Sequence, residues 1–206
     1  MVKVGIDFDN TLVSYDDVFL RAAIERELLP RHFTGDKTAV RDSIRLAAGD
    51  TQWAKLQADV YGRRMADAVM IKGAGDFVLV CRQQGADVYI VSHKSRHAAA
   101  DPDGADLHAS ALTWMERNRF FHKDGLAFTR SDIFFEPTRE AKCRRISELG
   151  CSHFIDDLEE VFREPAFPSG VEQLLLHRGR NPAPHGPFTA LADWPAITNA
   201  VFPRAG

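Results

Sequence analysis

The feature that most constrains this chain is a set of five short apolar runs, each closing on a polar residue. Residues 2–6 precede Asp7, 87–91 precede Ser92, 133–135 precede Glu136, 153–155 precede Asp156, and 173–176 precede His177. Runs this short, nearly continuous and rich in Val, Ile and Phe, suit strands buried on both faces of a parallel sheet. Parallel strands need crossover connections, and helical patterns lie between the runs. Residues 73–84 carry Phe77, Val80 and Cys81 on one face and run into Gly85, a C-cap residue. Residues 108–120 carry Ala111, Leu112 and Met115 at helical spacing, while 138–149 follow Pro137 and stop at Gly150. The alternation predicts an α/β fold with a Rossmann-like, doubly wound parallel sheet.

One interval breaks the alternation. From Ser14 to about Lys72 no strand pattern stands out, and three helices are expected at about 17–29, 37–48 and 51–67, with Asp36 and Thr51 as N-caps. The expected organisation is a core of residues 1–13 and 73–206 with a small helical lobe at 14–72. That lobe is inserted after the first strand, on the edge where ligands enter an open α/β sheet. The tail after His177 holds Pro182, Pro184, Pro187 and Pro195 and is expected to be irregular, with one short helix near 196–201.

Composition bounds the function. A chain of 206 residues buries roughly 70% of its unfolded surface, so it needs no disulfide or structural metal to fold. Twenty-six Lys and Arg against 29 Asp and Glu leave a net charge of −3, which excludes a generally basic nucleic-acid binder. No apolar run approaches the ~18 residues of a transmembrane helix, and the N-terminus lacks a signal-type stretch, so no membrane partner is expected. The cysteines Cys81, Cys143 and Cys151 show no CxxC spacing, which argues against a disulfide framework or zinc knuckle and for a reducing cytoplasm. The eight histidines are scattered without zinc-ligand spacing.

The strongest local signal is Asp7-Phe8-Asp9-Asn10-Thr11-Leu12 at the end of the first strand. Residues i and i+2 of an extended chain share a face, so Asp7 and Asp9 can point into one crevice. Two close anions repel, and a hard cation with oxygen ligands, such as Mg²⁺, compensates them. Asp156 and Asp157 end another strand, and in a parallel sheet all strand ends of one kind lie on one edge. Ser92 ends the second strand, and Lys142 lies in the first turn of the helix after Glu136. A hydroxyl and a cation beside an acidic metal site suit a phosphoryl group, whose charge needs donors on several sides. Four carboxylates carry −4, which Lys142 and Mg²⁺ together offset by +3. Arg139, Arg144 and Arg145 are rivals of Lys142 for this role.

These residues, in this order, resemble the haloacid dehalogenase (HAD) superfamily. Its four motifs match Asp7-x-Asp9-x-Thr11, the apolar run ending in Ser92, Lys142, and the pair Asp156-Asp157, across residues 2 to about 162. The resemblance implies a HAD-like core, and the insert between the first two motifs corresponds to a helical C1-type cap. It implies that Asp7 is a nucleophile forming an aspartyl phosphate and that Asp9 is the general acid and base. Mg²⁺ would be held by the Asp7 carboxylate, the Asp9 backbone carbonyl and an acid from Asp156 or Asp157, with Glu160 as a support behind them. Ser92 and Lys142 would bind phosphoryl oxygens. Asn10, Thr11 and His93 are candidates for substrate contact, and His93 and Lys94 stand where many relatives have a small residue. Asp9 points to phosphatases and phosphotransferases rather than dehalogenases, which generally lack an acid there.

The expected function is a cytoplasmic, Mg²⁺-dependent phosphatase acting on a small phosphorylated metabolite. A phosphotransferase or mutase, a nucleotidase, and a non-catalytic phospholigand-binding protein are the alternatives. In the insert, Arg41, Arg45, Arg63 and Arg64 read as a solvated face, and Trp53 and Tyr61 as core. The oligomeric state is unreadable from the sequence.

Overall fold

A computed structural model describes residues 1–178 and 183–203 of the chain. Six strands form one sheet: β1 (Lys3–Ile6), β4 (Asp87–His93), β5 (Ile133–Glu136), β6 (His153–Asp156), β7 (Glu172–Leu176) and β8 (Thr189–Leu191). Their spatial order is β5-β4-β1-β6-β7-β8, and every recorded pairing is parallel. Counted among themselves, the strands run 3-2-1-4-5-6, the Rossmann order, with its topological switch between β1 and β6. The five runs read from the sequence are five of these strands.

The helices are α1 (Asp16–Glu25), α2 (Lys37–Ala48), α3 (Asp50–Tyr61), α4 (Ala74–Gln83), α5 (Leu107–Arg117), α6 (Arg139–Glu148), α7 (Glu159–Phe162) and α8 (Trp194–Val201). Local chemistry sets their starts. Asp36, Asp106, Thr138 and Asp193 each accept a hydrogen bond from the backbone N–H three residues on, satisfying a donor the helix leaves open. Thr51 is not an N-cap: α3 begins one residue earlier, behind Gly49, whose φ of +83° is the left-handed region that glycine occupies without strain.

The chain divides into two compact units, one of Met1–Val13, Met70–Lys94 and Arg119–Gly206, the other of Ser14–Val69 and Ser95–Asn118. The first contains the sheet. One of its apolar clusters joins Val91, Ile146, Cys151, Phe154, Val161, Phe162 and Leu175, all buried. The second is helical and folds around aromatic side chains. Trp53 stacks on Phe19 at 4.9 Å between ring centroids, Tyr61 meets Tyr15 edge-on at 4.8 Å, and the Trp114 indole N–H donates to the Ala68 carbonyl at 2.8 Å.

Three expectations need correction. The helical unit takes in residues 95–118, with α5, beyond the insert at 14–72, because the buried face of α5 (Leu107, Ala111, Trp114, Met115) includes the indole bonded to Ala68. The insert is bounded by two short paired strands, β2 (Val13–Ser14) and β3 (Val69–Met70), where no strand was expected. The tail is not irregular throughout, since β8 pairs with β7 through Leu174–Thr189, Leu175–Ala190 and Leu176–Leu191. Pro182 lies outside the described residues.

Candidate active site

Asp7 occupies the topological switch. The register pairs Ile6 with Ile90 on one side and Ile155 on the other, so the next residue, Asp7, falls beside Val91 and Asp156. Its N–H donates to the Ile155 carbonyl at 2.9 Å. The chain then turns at once: the N–H groups of Leu12 and Val13 donate to the Phe8 carbonyl at 3.0 and 3.2 Å, and that of Asn10 to the Val13 carbonyl at 2.8 Å. The turn needs a left-handed residue, and Asn10 supplies it with φ +62°, a conformation asparagine tolerates better than most. Phe8, Leu12 and Val13 are fully buried and anchor the loop, which fixes where Asp9, Asn10 and Thr11 stand.

Lys142 reaches the same point from α6. Lys142 and Ile146 lie one turn apart and are both buried, so the lysine projects from the apolar face of the helix. Its ammonium donates to Asp7 Oδ1 and to Asp156 Oδ2, each at 2.6 Å. The three rival arginines are engaged elsewhere: Arg139 with Glu164, Arg144 with Glu140, and Arg145 with Glu136 and Glu148. Ser92 donates to Asp7 Oδ1 at 2.9 Å. Asp7 Oδ1 therefore receives a hydroxyl and an ammonium, the two donors that the sequence assigned to phosphoryl oxygens.

Asp156 is fully buried, its Oδ1 accepting from the Leu158 N–H at 2.9 Å. Asp157 is half-buried and accepts from the buried Thr11 hydroxyl at 3.3 Å. One carboxylate oxygen each of Asp7, Asp156 and Asp157 lie within 4.8 Å of one another, an all-oxygen donor set of the kind a hard divalent cation takes. The Asp9 side chain is not part of that set. It lies close enough to raise the Asp7 pKa, yet its own carboxylate is paired with Lys94 Nζ at 2.8 and 3.1 Å. Counting carboxylates as anions and ammoniums as cations, four aspartates against two lysines leave two negative charges, which one divalent cation neutralises. The residues present thus fit Mg²⁺ in donor type, spacing and charge.

Electrostatics follow from burial. The Asp7 carboxyl is pushed up to about 6: removal from water raises it most, Lys142 draws it down, and Asp156 and Asp9 push it up. Burial works against the Lys142 ammonium, but the Asp156 and Asp7 carboxylates outweigh it and hold the group above its ordinary range, so the lysine stays charged.

The remaining expected residues divide. Asn10 and Thr11 belong to the loop, and the Asn10 side-chain oxygen is buried with no hydrogen-bond partner. His93 is exposed and its Nε2 donates to the Pro137 carbonyl at 3.2 Å, away from the carboxylates. Glu160 is exposed. Lys94, singled out in the sequence only as standing where many relatives have a small residue, is buried and holds Asp9. Lys94 follows directly on β4, and its N–H donates to the Glu136 carbonyl. Carrying the strand's alternation one residue further is the signal that finds it, since Ser92 and Lys94 are two residues apart and His93 takes the other face.

No family model matches the sequence, and no curated protein matches it. Solved structures do share the fold. A HAD-superfamily hydrolase from Ehrlichia chaffeensis aligns over 98% of this chain and 97% of its own, with a TM-score of 0.53 and 13% identity. A HAD-superfamily hydrolase of subfamily IA, variant 1, from Geobacter sulfurreducens covers 98% of this chain and 96% of its own at TM-score 0.56 and 14% identity. A haloacid dehalogenase-like hydrolase from Streptococcus pneumoniae covers 87% and 86% at TM-score 0.55 and 13% identity. The chain has the haloacid dehalogenase-like fold, a Rossmann-like parallel sheet with an acidic site at its switch point.

Proposed function

We propose that this protein is a Mg²⁺-dependent phosphatase of the haloacid dehalogenase type, hydrolysing a small phosphomonoester through an aspartyl phosphate. The observation that carries the reading is the meeting at Asp7 of a hydroxyl, an ammonium and two further carboxylates, from segments up to about 150 residues apart. Asp7 Oδ attacks phosphorus, its bond to phosphorus forms, and the ester oxygen leaves with a proton from Asp9. Water then attacks phosphorus, Asp9 takes its proton, and the Asp7 carboxylate is released. Ser92 and Lys142 donate to the phosphoryl oxygens in both steps. Asp7, Asp156 and Asp157, with the Asp9 backbone carbonyl, would hold Mg²⁺, which supplies the positive charge that lets a carboxylate approach a phosphate dianion.

The helical insert is read as a C1-type cap that sets specificity for a small phosphorylated metabolite. Its basic residues Arg41, Arg45, Arg63 and Arg64 are paired with Asp42, Asp50, Asp101 and Asp59, which favours their reading as a solvated face. The three cysteines are free and buried, which suits a reducing, cytoplasmic setting. No described helix is long and apolar enough to cross a membrane. The test is phosphate release from p-nitrophenyl phosphate and a panel of phosphorylated metabolites, with Mg²⁺ and with EDTA. Release that needs the metal supports the reading, and no release above background from any ester overturns it.

A further inference from the structure

A general acid must be held in one rotamer to deliver its proton, within about half an ångström of the working position. Nothing in a loop aspartate alone does that, since its side chain has several staggered wells. In this protein a second residue selects one. Lys94 Nζ lies 3.1 Å from Asp9 Oδ1 and 2.8 Å from Oδ2, so one ammonium grips both oxygens. The lysine is itself fixed at both ends. Its backbone N–H donates to the Glu136 carbonyl at 3.0 Å, and its ammonium sits 5.9 Å from the centroid of the Phe8 ring. Its side chain is only 3% exposed. Taking an ammonium out of water costs several kcal/mol, and a surface lysine would balance the Asp9 charge without that cost. What a buried lysine adds over a solvated one is a defined position.

We propose that Lys94 is a positioning residue for Asp9, fixing its carboxyl group beside the leaving oxygen: the protonated group gives up its proton as the ester oxygen departs, and the carboxylate so formed stays on the Lys94 ammonium. This rests on the phosphatase reading above. It predicts a dependence on leaving group that loss of structure would not produce. A nitrophenolate departs without a proton, whereas an alkoxide must be protonated as it leaves. The comparison is kcat/KM, which reports the steps up to leaving-group departure, for p-nitrophenyl phosphate and glycerol phosphate with Mg²⁺. K94M should lower the value for the alkyl ester about 100-fold or more and that for the nitrophenyl ester by less than about tenfold, the range general acids contribute. D9N should show the same selectivity. A crystal structure of K94M should show the Asp9 carboxylate in another rotamer, a readout independent of turnover. If K94M does not fold, K94Q, which keeps a donor without the charge, takes its place in both measurements. Equal losses on the two esters, or an Asp9 carboxylate that stays in place, overturn the assignment of Lys94. If the wild type does not hydrolyse glycerol phosphate, an alkyl ester of the panel that it does hydrolyse takes its place. A wild type that hydrolyses no ester of the panel overturns the phosphatase reading, and the catalytic part of this one with it, while the rotamer of Asp9 still reports whether Lys94 holds it.

Discussion

Lys142 lies between two buried carboxylates, and that place decides what its removal does. Without it the buried carboxylates of Asp7 and Asp156 face each other, and an uncompensated buried charge costs on the order of 3–5 kcal/mol. K142A should therefore lose about that much stability in urea denaturation as well as its phosphatase activity. D7N behaves differently. Asparagine keeps the shape of Asp7 and an oxygen to accept from Ser92 and Lys142, but it cannot attack phosphorus. We expect kcat to fall at least ~1000-fold, as for other lost nucleophiles, while the thermal midpoint moves by only a few degrees. A D7N protein that keeps wild-type turnover removes the nucleophile from the mechanism. Most of this centre was legible because each member ends a strand or opens a helix, where sequence order reports spatial edge. Asp7, Ser92, Lys142, Asp156 and Asp157 follow from that rule. The pairing of Asp9 with Lys94 does not follow from that rule; it needs the alternation that puts Lys94 on the face of Ser92 and His93 on the other.

At the scale of elements, β1 illustrates how closely the sheet is packed around the nucleophile. A Cβ on Gly5 would sit 2.6 Å from Phe154 Cδ2 and 3.1 Å from Cys151 Sγ, so the position admits no side chain without a shift of both neighbours. G5A should cost about 1–3 kcal/mol, read as a lower denaturation midpoint, because overpacking a filled core forces side chains off their rotamers. An unchanged midpoint would mean that Phe154 yields freely. The helices were readable since their period repeats, and the strands since their apolar runs are nearly continuous; of the two expected N-caps, Asp36 lies at its place and Thr51 does not cap α3. The elements missed have no room for a period: β2 and β3 are two residues each, and β8 is three residues in a proline-rich tail. The membership of α5 was missed for another reason. Its apolar face announces burial but not the partner, and only the fold shows Trp114 donating to Ala68.

For the molecule as a whole, two linkages connect the site and the sheet to stability. His153, at the start of β6, is held below its ordinary pKa by burial, against the pull of Glu172 at 3.6 Å. Such a base binds its proton better when unfolded, so its contribution is intact above about pH 6.5 and is lost as the pH falls below that. H153Q should flatten the fall in stability between pH 7 and 5 relative to the wild type, and two parallel slopes would contradict this. The second linkage concerns charge. The whole chain carries −3, and the site holds two unbalanced negative charges in a buried, all-oxygen setting. A cation that binds only the folded state stabilises it by an amount that grows with the logarithm of its concentration, about 2.7 kcal/mol at a hundredfold excess over Kd. Mg²⁺ should therefore raise the thermal midpoint progressively, where NaCl of the same ionic strength does not. D157N is the variant that tests the site, since Asp157 accepts from Thr11 while Asp7 and Asp156 hold the Lys142 ammonium, so that the substitution leaves that buried ion pair in place. The Mg²⁺ shift should shrink to a small fraction in D157N, whereas a shift of wild-type size would place the cation elsewhere on this acidic protein.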